Sequence, residues 1–468
     1  MKAFLASLII GSNYFVGFYY GVVNLVYTVL LTAALFAILS HIKRIKYSPI
    51  KDLSSSPEAP PVSVLIPAHN EEIHIVSTVS AALSMNYPFL EVIVINDAST
   101  DRTLESLIDT LGLYEIDLIY RDVIKTKPVK RFYYNAHIPN LMVIDKERGG
   151  KADALNCGIN ACHSPYFCSI DADSVLEKDA LLRLISPVLE STVPVIACGG
   201  VVRTLNGTEI RDGTVESINL PRNTLALFQI VEYLRAFLFG RVGLDAGNAI
   251  LILSGAFSLF NKAAVLEVGG YSQQNVTEDM EVIVRLHKHC RKKKKPYKIK
   301  FISDPICWTE APETFKMLGR QRRRWHLGLM QSILQHKSVL FNPKYGRLGM
   351  FVMPYYFFIE MLSPVVEAFG YSVVLLAYFL GLISFEFFLL FLTLAIFYGM
   401  FLSTGAVFLE ELTYRRYPKW SHLFKLLFYG LLENLGYRQL NSFWRVQAVC
   451  NYFAGKRRWE YVRRRRRT

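Results

Sequence analysis

Val22 to Leu39, read VVNLVYTVLLTAALFAIL, carries no charged side chain and is long enough to cross a bilayer as a helix. In lipid a backbone must satisfy its own N–H and C=O groups, so a lone apolar stretch of this length has one option, the α-helix. Basic residues follow at once in HIKRIKY, and the lysine and arginine bias puts the C-terminal end of that helix in the cytoplasm. The apolar run is longer than a secretory signal's and no small-residue cleavage site follows, so a retained membrane helix is expected. A second apolar block extends from near Met350 to about Glu410, with spans expected at Val365 to Leu382 and Phe387 to Phe408. These two spans return the basic loop TYRRYPKW to the cytoplasm. Leu423 to Leu432 is followed by Glu433, Arg438 and Arg445, and so reads as interfacial or re-entrant rather than as a full span. Three spans plus interfacial helices are expected.

These segments divide the chain into 1–46 (a transmembrane helix), 47–342 (a cytosolic domain) and 343–468 (transmembrane and interfacial helices with a basic cytosolic tail). The whole is 52% apolar yet has a formal net charge of +14. The runs RKKKK (Arg291 to Lys295) and RRRRR (Arg463 to Arg467) resemble nucleic-acid tails in isolation. Beside membrane spans, attraction to anionic lipid explains them better, so the bilayer is an expected partner and nucleic acid is not. The seven cysteines are odd in number and lack paired metal spacing; Cys157, Cys162, His163 and Cys168 cluster only loosely. They are expected to be reduced, partly buried thiols.

The central region opens, after the linker SSSPEAPP (Ser54 to Pro61), with VSVLIP, a short continuous β-branched run typical of a strand buried on both faces. EVIVIND (Glu91 to Asp97) and YFCSIDADS (Tyr166 to Ser174) repeat the pattern, separated by helical stretches that include Ile73 to Leu83 and Ala152 to Ala161. Strands alternating with helices predict an α/β fold with a largely parallel sheet. Ligands of such sheets bind beyond the carboxyl ends of the strands, where Asp97, Asp171 and Asp173 would gather.

VSVLIPAHNEE, VINDASTD, ERGGKADALNCGI, DADS, VTEDME and QRRRW occur in that order between Pro61 and Trp325. In this the chain resembles the membrane-embedded, processive family 2 glycosyltransferases, a group that includes cellulose, chitin, hyaluronan and poly-N-acetylglucosamine synthases. The resemblance implies a GT-A (Rossmann-like) domain that binds a UDP-sugar and inverts the anomeric carbon. It implies a nucleotide-sugar site at Ala68, Asn70, Glu71, Asp97, Arg148, Lys151, Asp171 and Arg324. Asn96 stands where many relatives carry another Asp. Asp173, with Asp171 beside it, matches the family's ligand for Mg²⁺ or Mn²⁺, hard cations that favour carboxylate and phosphate oxygens. Gly149 and Gly150 would let the backbone approach the ligand closely.

Inversion by a single displacement needs one general base. Asp279 is the family match, with Glu278 as the rival neighbour. Three acids at a helix start also suit the helix dipole, and a helix start is a rigid mount for a base. Ser254 and Gly255 of SGAFSLF, and the stretch GGVVRTLNG, match the sugar and acceptor site. Gln321 and Trp325 match the acceptor platform, while Arg322 and Arg323 are expected to serve as a membrane-surface anchor. Glu310 is expected to pair with an arginine of QRRRW.

The leading reading is metal-dependent, processive transfer from a UDP-sugar to a growing β-linked polysaccharide, exported through the chain's own membrane helices. The short C-terminal block leans the donor towards UDP-N-acetylglucosamine over UDP-glucose. The alternative, transfer of one sugar to a membrane lipid carrier, fits less well because such enzymes generally lack the Gln-x-x-Arg-Trp element. A catalytically dead membrane scaffold is disfavoured by the intact acidic set. The expected partners are the UDP-sugar, the polysaccharide acceptor and the bilayer, with room for a small accessory membrane subunit.

Overall fold

The computed structural model describes residues 2–45, 56–211, 214–417 and 419–456, so the arginine run at 463–467 and part of the linker lie outside the described residues. Among these residues the strands are β1 (Val62–Ala68), β2 (Leu90–Asp97), β3 (Tyr114–Ile116), β4 (Val129–Tyr134), β5 (Leu141–Lys146), β6 (Tyr166–Ile170), β7 (Val175–Leu176), β8 (Val195–Thr204), β9 (Glu209–Arg211), β10 (Thr214–Ser217), β11 (Phe257–Asn261) and β12 (Lys298–Thr309). Ten of them form one sheet in the order β3-β4-β5-β2-β1-β6-β11-β8-β12-β7, with β9 and β10 as a separate pair. β5, β2, β1 and β6 run parallel, whereas β11 is antiparallel to both its neighbours. This is a mixed α/β sheet of the expected GT-A kind. β1 is buried at nearly every residue, which explains why VSVLIP is apolar without alternation.

α2 (Ile75–Leu83), α3 (Thr103–Leu111), α4 (Lys151–Ala161), α5 (Ala180–Glu190) and α6 (Thr224–Leu234) connect or cover the strands. The chain leaves β1 towards β2 on one side and returns to β6 on the other, so the sheet order reverses about β1. That reversal opens the crevice into which the ends of β1, β2 and β6 face. α4 lies tight against the sheet: a Cβ on its Gly158 would come within 2.9 Å of Ile95 and 3.1 Å of Leu65. Beyond α7 (Val242–Asp245) and α8 (Lys262–Glu267) come the two helices that frame the crevice, α9 (Glu278–Lys292) and α10 (Phe315–Gln335). α9 has Glu278, Asp279 and Glu281 in its first turn and His289, Arg291 and Lys292 in its last, both ends suiting the helix dipole. Thr314 caps α10, accepting the Met317 N–H at 3.3 Å.

The N-terminal helix α1 (Lys2–Ile45) contains a stretch, Ala6–Lys43, that is long and apolar enough to cross a membrane, as is Phe385–Thr413. That second stretch contains α13 (Phe385–Leu392) and α14 (Tyr398–Thr413). A third span exists if Leu348–Met361, which holds α11 (Met353–Tyr355), and α12 (Ser363–Phe379) count as one helix pair bent by 44°. The bend falls where Pro364 removes a backbone donor at the start of α12. α15 (Trp420–Leu432) is separated from α16 (Arg438–Phe453) by a break at Leu435 and Gly436, and α16 packs along α10. α1 presses directly on the sheet domain, since a Cβ on Gly243 would meet the Leu30 carbonyl oxygen at 2.5 Å.

Six of the seven cysteines are buried and free, and only Cys450 is exposed. Burial pushes the thiols of Cys157 and Cys162 up, to about 12 and about 11, which makes them inert.

Candidate active site

β6 ends at Ile170, so Asp171 emerges at its carboxyl end, directly across the crevice from the first residue of α4. That residue is Lys151. Its Nζ lies 2.6 Å from Asp171 Oδ1, 3.3 Å from Glu278 Oε1, and donates to the Gly255 carbonyl at 3.3 Å. Burial opposes the ammonium charge, but Asp171 and Glu278 together outweigh it and hold the lysine above its usual pKa. Gly255 is wedged between the lysine and the neighbouring acid: a Cβ there would meet Lys151 Nζ at 3.1 Å and Asp279 Oδ2 at 3.2 Å. Its N–H donates to Asp279 Oδ2 at 3.1 Å, while the Met280 N–H donates to Oδ1 at 2.9 Å. Burial, then the Glu278 charge, pushes the Asp279 carboxyl up to about 6, with Arg324 pulling the other way. Lys151, Ser254, Gly255, Glu278 and Asp279 therefore line one pocket, together with Ser169 and Tyr271.

Burial raises the Asp171 carboxyl and Asp173 adds to it, against the pull of Lys151. Two carboxylates close enough to repel, at a strand end beside a pocket, fit a hard divalent cation. Such a cation takes its remaining ligands from phosphate and water, so it needs no cage of three or more protein ligands. Among the described residues no such cage exists.

The corner beyond β1 and β2 is held together by hydrogen bonds among its own residues. Asp97 is 3% exposed and accepts the Gly149 N–H at Oδ1 (2.7 Å) and the Gly150 N–H at Oδ2 (2.8 Å). Lys146 Nζ at 3.3 Å and Arg148 Nε at 3.6 Å complete its surroundings. The two glycines thus bring the backbone onto Asp97 and Asp153. Gly149 has no room for a Cβ, which would meet Asp153 Oδ1 at 2.2 Å, and Gly150 has φ +89°. Asn96 Nδ2 donates to Asp145 at 2.7 Å. Asn70, at φ 58°, accepts the Thr100 N–H at 2.7 Å, and the Glu71 N–H donates to Thr103 at 2.8 Å. These bonds lock the loop after Ala68 to the loop after Asp97.

α10 carries QRRRW. Arg324 and Trp325 are exposed, Trp325 at 38%, and Gln321 is half-buried. Arg322 corrects the expectation of a membrane anchor: it is 3% exposed. Its Nη2 lies 2.6 Å from Glu232 on α6, its Nε donates to Asn441 on α16 at 3.2 Å, and its guanidinium covers the Trp325 ring at 4.5 Å. Arg322 pairs with Glu232, not with Glu310. Arg323 reaches Gln447 of α16 at 3.1 Å. Because Arg322 is a buried fork held by α6, by α16 and by its own helix, its replacement by Lys is not mild. Arg322→Lys is expected to destabilise the protein by roughly 1.5 to 3 kcal/mol, seen as a lower unfolding temperature in detergent, while Arg323→Lys leaves that temperature unchanged.

A family profile described as "Glycosyltransferase like family 2" matches residues 60–328, more than half of the chain, from β1 to beyond Trp325. The chain belongs to the family 2 glycosyltransferases. A second profile, "Chitin synthase", matches residues 283–443, which include α10. This glycosyltransferase is 29% identical over 303 residues to "Probable glycosyltransferase YdaM" of Bacillus subtilis, covering 64% of this chain and 62% of that protein. It is 30% identical over 276 residues to "Poly-beta-1,6-N-acetyl-D-glucosamine synthase" of Staphylococcus aureus, covering 58% of this chain and 56% of that one. The chain thus spans about three-fifths of the length of these curated relatives. A mannosyltransferase from Pyrobaculum calidifontis, in complex with GDP-Man and Mn²⁺, aligns over 88% of this chain and 99% of its own at 18% identity and a TM-score of 0.49.

Three residues that support the elements around this pocket were not anticipated from the sequence. Lys146, fully buried, joins Asp97 to Asp153; the only local signal was a lysine ending an apolar strand. Glu232 of α6 receives Arg322 and the Tyr437 hydroxyl, the latter at 2.7 Å. His336, one residue beyond α10, meets Glu281 of α9 at 3.2 Å.

Proposed function

We propose that this glycosyltransferase is a processive, inverting polysaccharide synthase that adds sugars from a UDP-sugar to a β-linked chain. The observation that carries it is the meeting of two parts at one carboxylate. Asp279 hangs from the Gly255 N–H beside Lys151, and α10, with Arg324 and Trp325 exposed, packs on the residues just before it, Gly328 against Thr277 and Gln331 on the Val276 N–H. In the reaction the acceptor hydroxyl oxygen attacks the anomeric carbon, its proton passes to Asp279, and the bond to UDP breaks with the electron pair leaving on the diphosphate. Lys151 and Arg324 offer positive charge to the diphosphate, Arg324 as a planar fork. Asp171 and Asp173 are the residues that would hold Mg²⁺ or Mn²⁺. A divalent cation there would neutralise charge building on the departing UDP. Trp325 offers an indole face to the terminal sugar of the acceptor, a contact that permits sliding after each addition.

UDP-N-acetylglucosamine is the favoured donor, supported by the likeness to the Staphylococcus aureus poly-beta-1,6-N-acetyl-D-glucosamine synthase and by the chitin synthase profile, which takes in α10. Export through the chain's own helices, from a cytosolic catalytic domain, is supported by polar groups placed inside apolar helices. Glu367 of α12 is 5% exposed and binds Arg438 and Ser442 of α16, each at 2.6 Å, while Gln439 reaches the Tyr371 hydroxyl at 3.1 Å. Charged groups buried among apolar helices are costly, and within a membrane they mark pathways more often than packing.

Sizing the product of purified protein with labelled UDP-sugars tests the reading: polymer supports it, and a lipid-linked single sugar overturns it. Excess EDTA is expected to stop turnover and added Mg²⁺ or Mn²⁺ to restore it. Asp173→Asn is expected to remove most activity at any metal concentration. Full turnover in EDTA rejects the metal assignment.

A further inference from the structure

The three acids that open α9 point in three directions. Glu278 faces Lys151, Asp279 takes the Gly255 N–H, and Glu281 is fully buried on the far side. There Glu281 Oε1 accepts from His336 Nε2 at 3.2 Å, and Arg285 holds the same carboxylate through Nε at 2.7 and 2.9 Å and Nη2 at 2.6 Å. Arg285 also donates to the carbonyls of Val268 (2.6 Å) and Gly270 (2.7 Å), which ties the preceding loop to α9. His336 caps the end of α10, the helix that carries Arg324 and Trp325.

Three further contacts join the same two segments. Asn275 Nδ2 donates to Ser332 Oγ at 3.0 Å and the Val276 N–H donates to Gln331 at 2.9 Å. Gly328 has no room for a side chain, because a Cβ would meet Thr277 Oγ1 at 2.2 Å. Gly328 lies about one helical turn beyond Trp325. Residues 275–281, which hold the base, are therefore bolted to 328–336, the far half of the acceptor helix.

We propose that Glu281, acting through His336, is a positioning residue that fixes Asp279 relative to Trp325, so that the base and the acceptor platform move as one body. The inference rests on the roles given above to Asp279 and Trp325. A buried polar pair is weak evidence for stability but sets orientation, and displacement of a reacting group by about 1 Å costs on the order of 10²-fold in rate.

Two rates on the same full-length protein test it. One is transfer from UDP-N-acetylglucosamine to an N-acetylglucosamine oligosaccharide; the other is hydrolysis of the same donor by water, which needs the base but not the platform. His336→Leu leaves the Glu281–Arg285 pair intact and is expected to lower transfer about tenfold or more with hydrolysis unchanged. His336→Gln, which can still donate to Glu281, is expected to restore transfer, and Gly328→Ala to repeat the split. A parallel fall of both rates, or an unchanged ratio, overturns the inference. Asp279→Asn and Trp325→Ala run alongside: the first should lose both rates and the second should lower transfer alone. If Asp279→Asn keeps both rates, the base assignment fails and takes this inference with it. If both controls behave and His336→Leu matches the parent, only the coupling fails.

Discussion

Replacing Asp279 by Asn is expected to lower sugar transfer roughly 10² to 10⁴-fold while leaving UDP binding little changed. The amide keeps the shape of the side chain and its place beside Gly255, but it cannot take the acceptor's proton. The pH profile supplies an independent check. Burial and the Glu278 charge place the Asp279 carboxyl at about 6, so the group is protonated and idle below that pH and ionised above it. Transfer should therefore rise with pH through about 6, falling close to tenfold for each unit below. In the Asn variant that rising limb should disappear from whatever activity remains. A normal rate and an unchanged limb in Asp279→Asn, with Glu278→Gln inactive, would move the base by one residue.

Trp325→Ala is expected to abolish polymer while the protein stays folded and in the membrane. One face of the ring is covered by Arg322 at 4.5 Å, yet the residue remains 38% exposed, so its removal opens no buried cavity. Product length is the ratio of addition to release. An aromatic stacking contact contributes about 0.5 to 1.5 kcal/mol, and loss of 1.4 kcal/mol speeds release about tenfold. The expected result is short oligosaccharides with donor hydrolysis preserved, read by sizing labelled product. Normal-length polymer would make α10 a structural helix and nothing more.

Three central strands (β1, β2 and β6), the apolar helices and the acids at the strand ends were legible in the sequence because each is written in local pattern. VSVLIP reads as buried on both faces without reference to a partner, since a strand covered on both sides carries a near-continuous apolar, β-branched-rich run. Val22 to Leu39 needs none to show that it suits a bilayer, and it lies within the apolar helix that reaches from Ala6 to Lys43. Asp171 could be placed at a strand end because strand boundaries follow from short-range propensity and turn chemistry. Tertiary structure alone decided what each of those groups faces. QRRRW offers three identical arginines, yet α6 and α16 bury Arg322 and leave Arg324 exposed, a choice made by helix phase against two distant helices. Asp97 ended in a nest of backbone N–H groups because register sets it beside Lys146, forty-nine residues away. Glu281 stands two residues from Asp279 but turns to α10, since residues two apart on a helix occupy different faces. Local sequence determines which groups exist and on which element. Pairing across long loops and between helix faces determines which of them meet, and no stretch of a few residues encodes that.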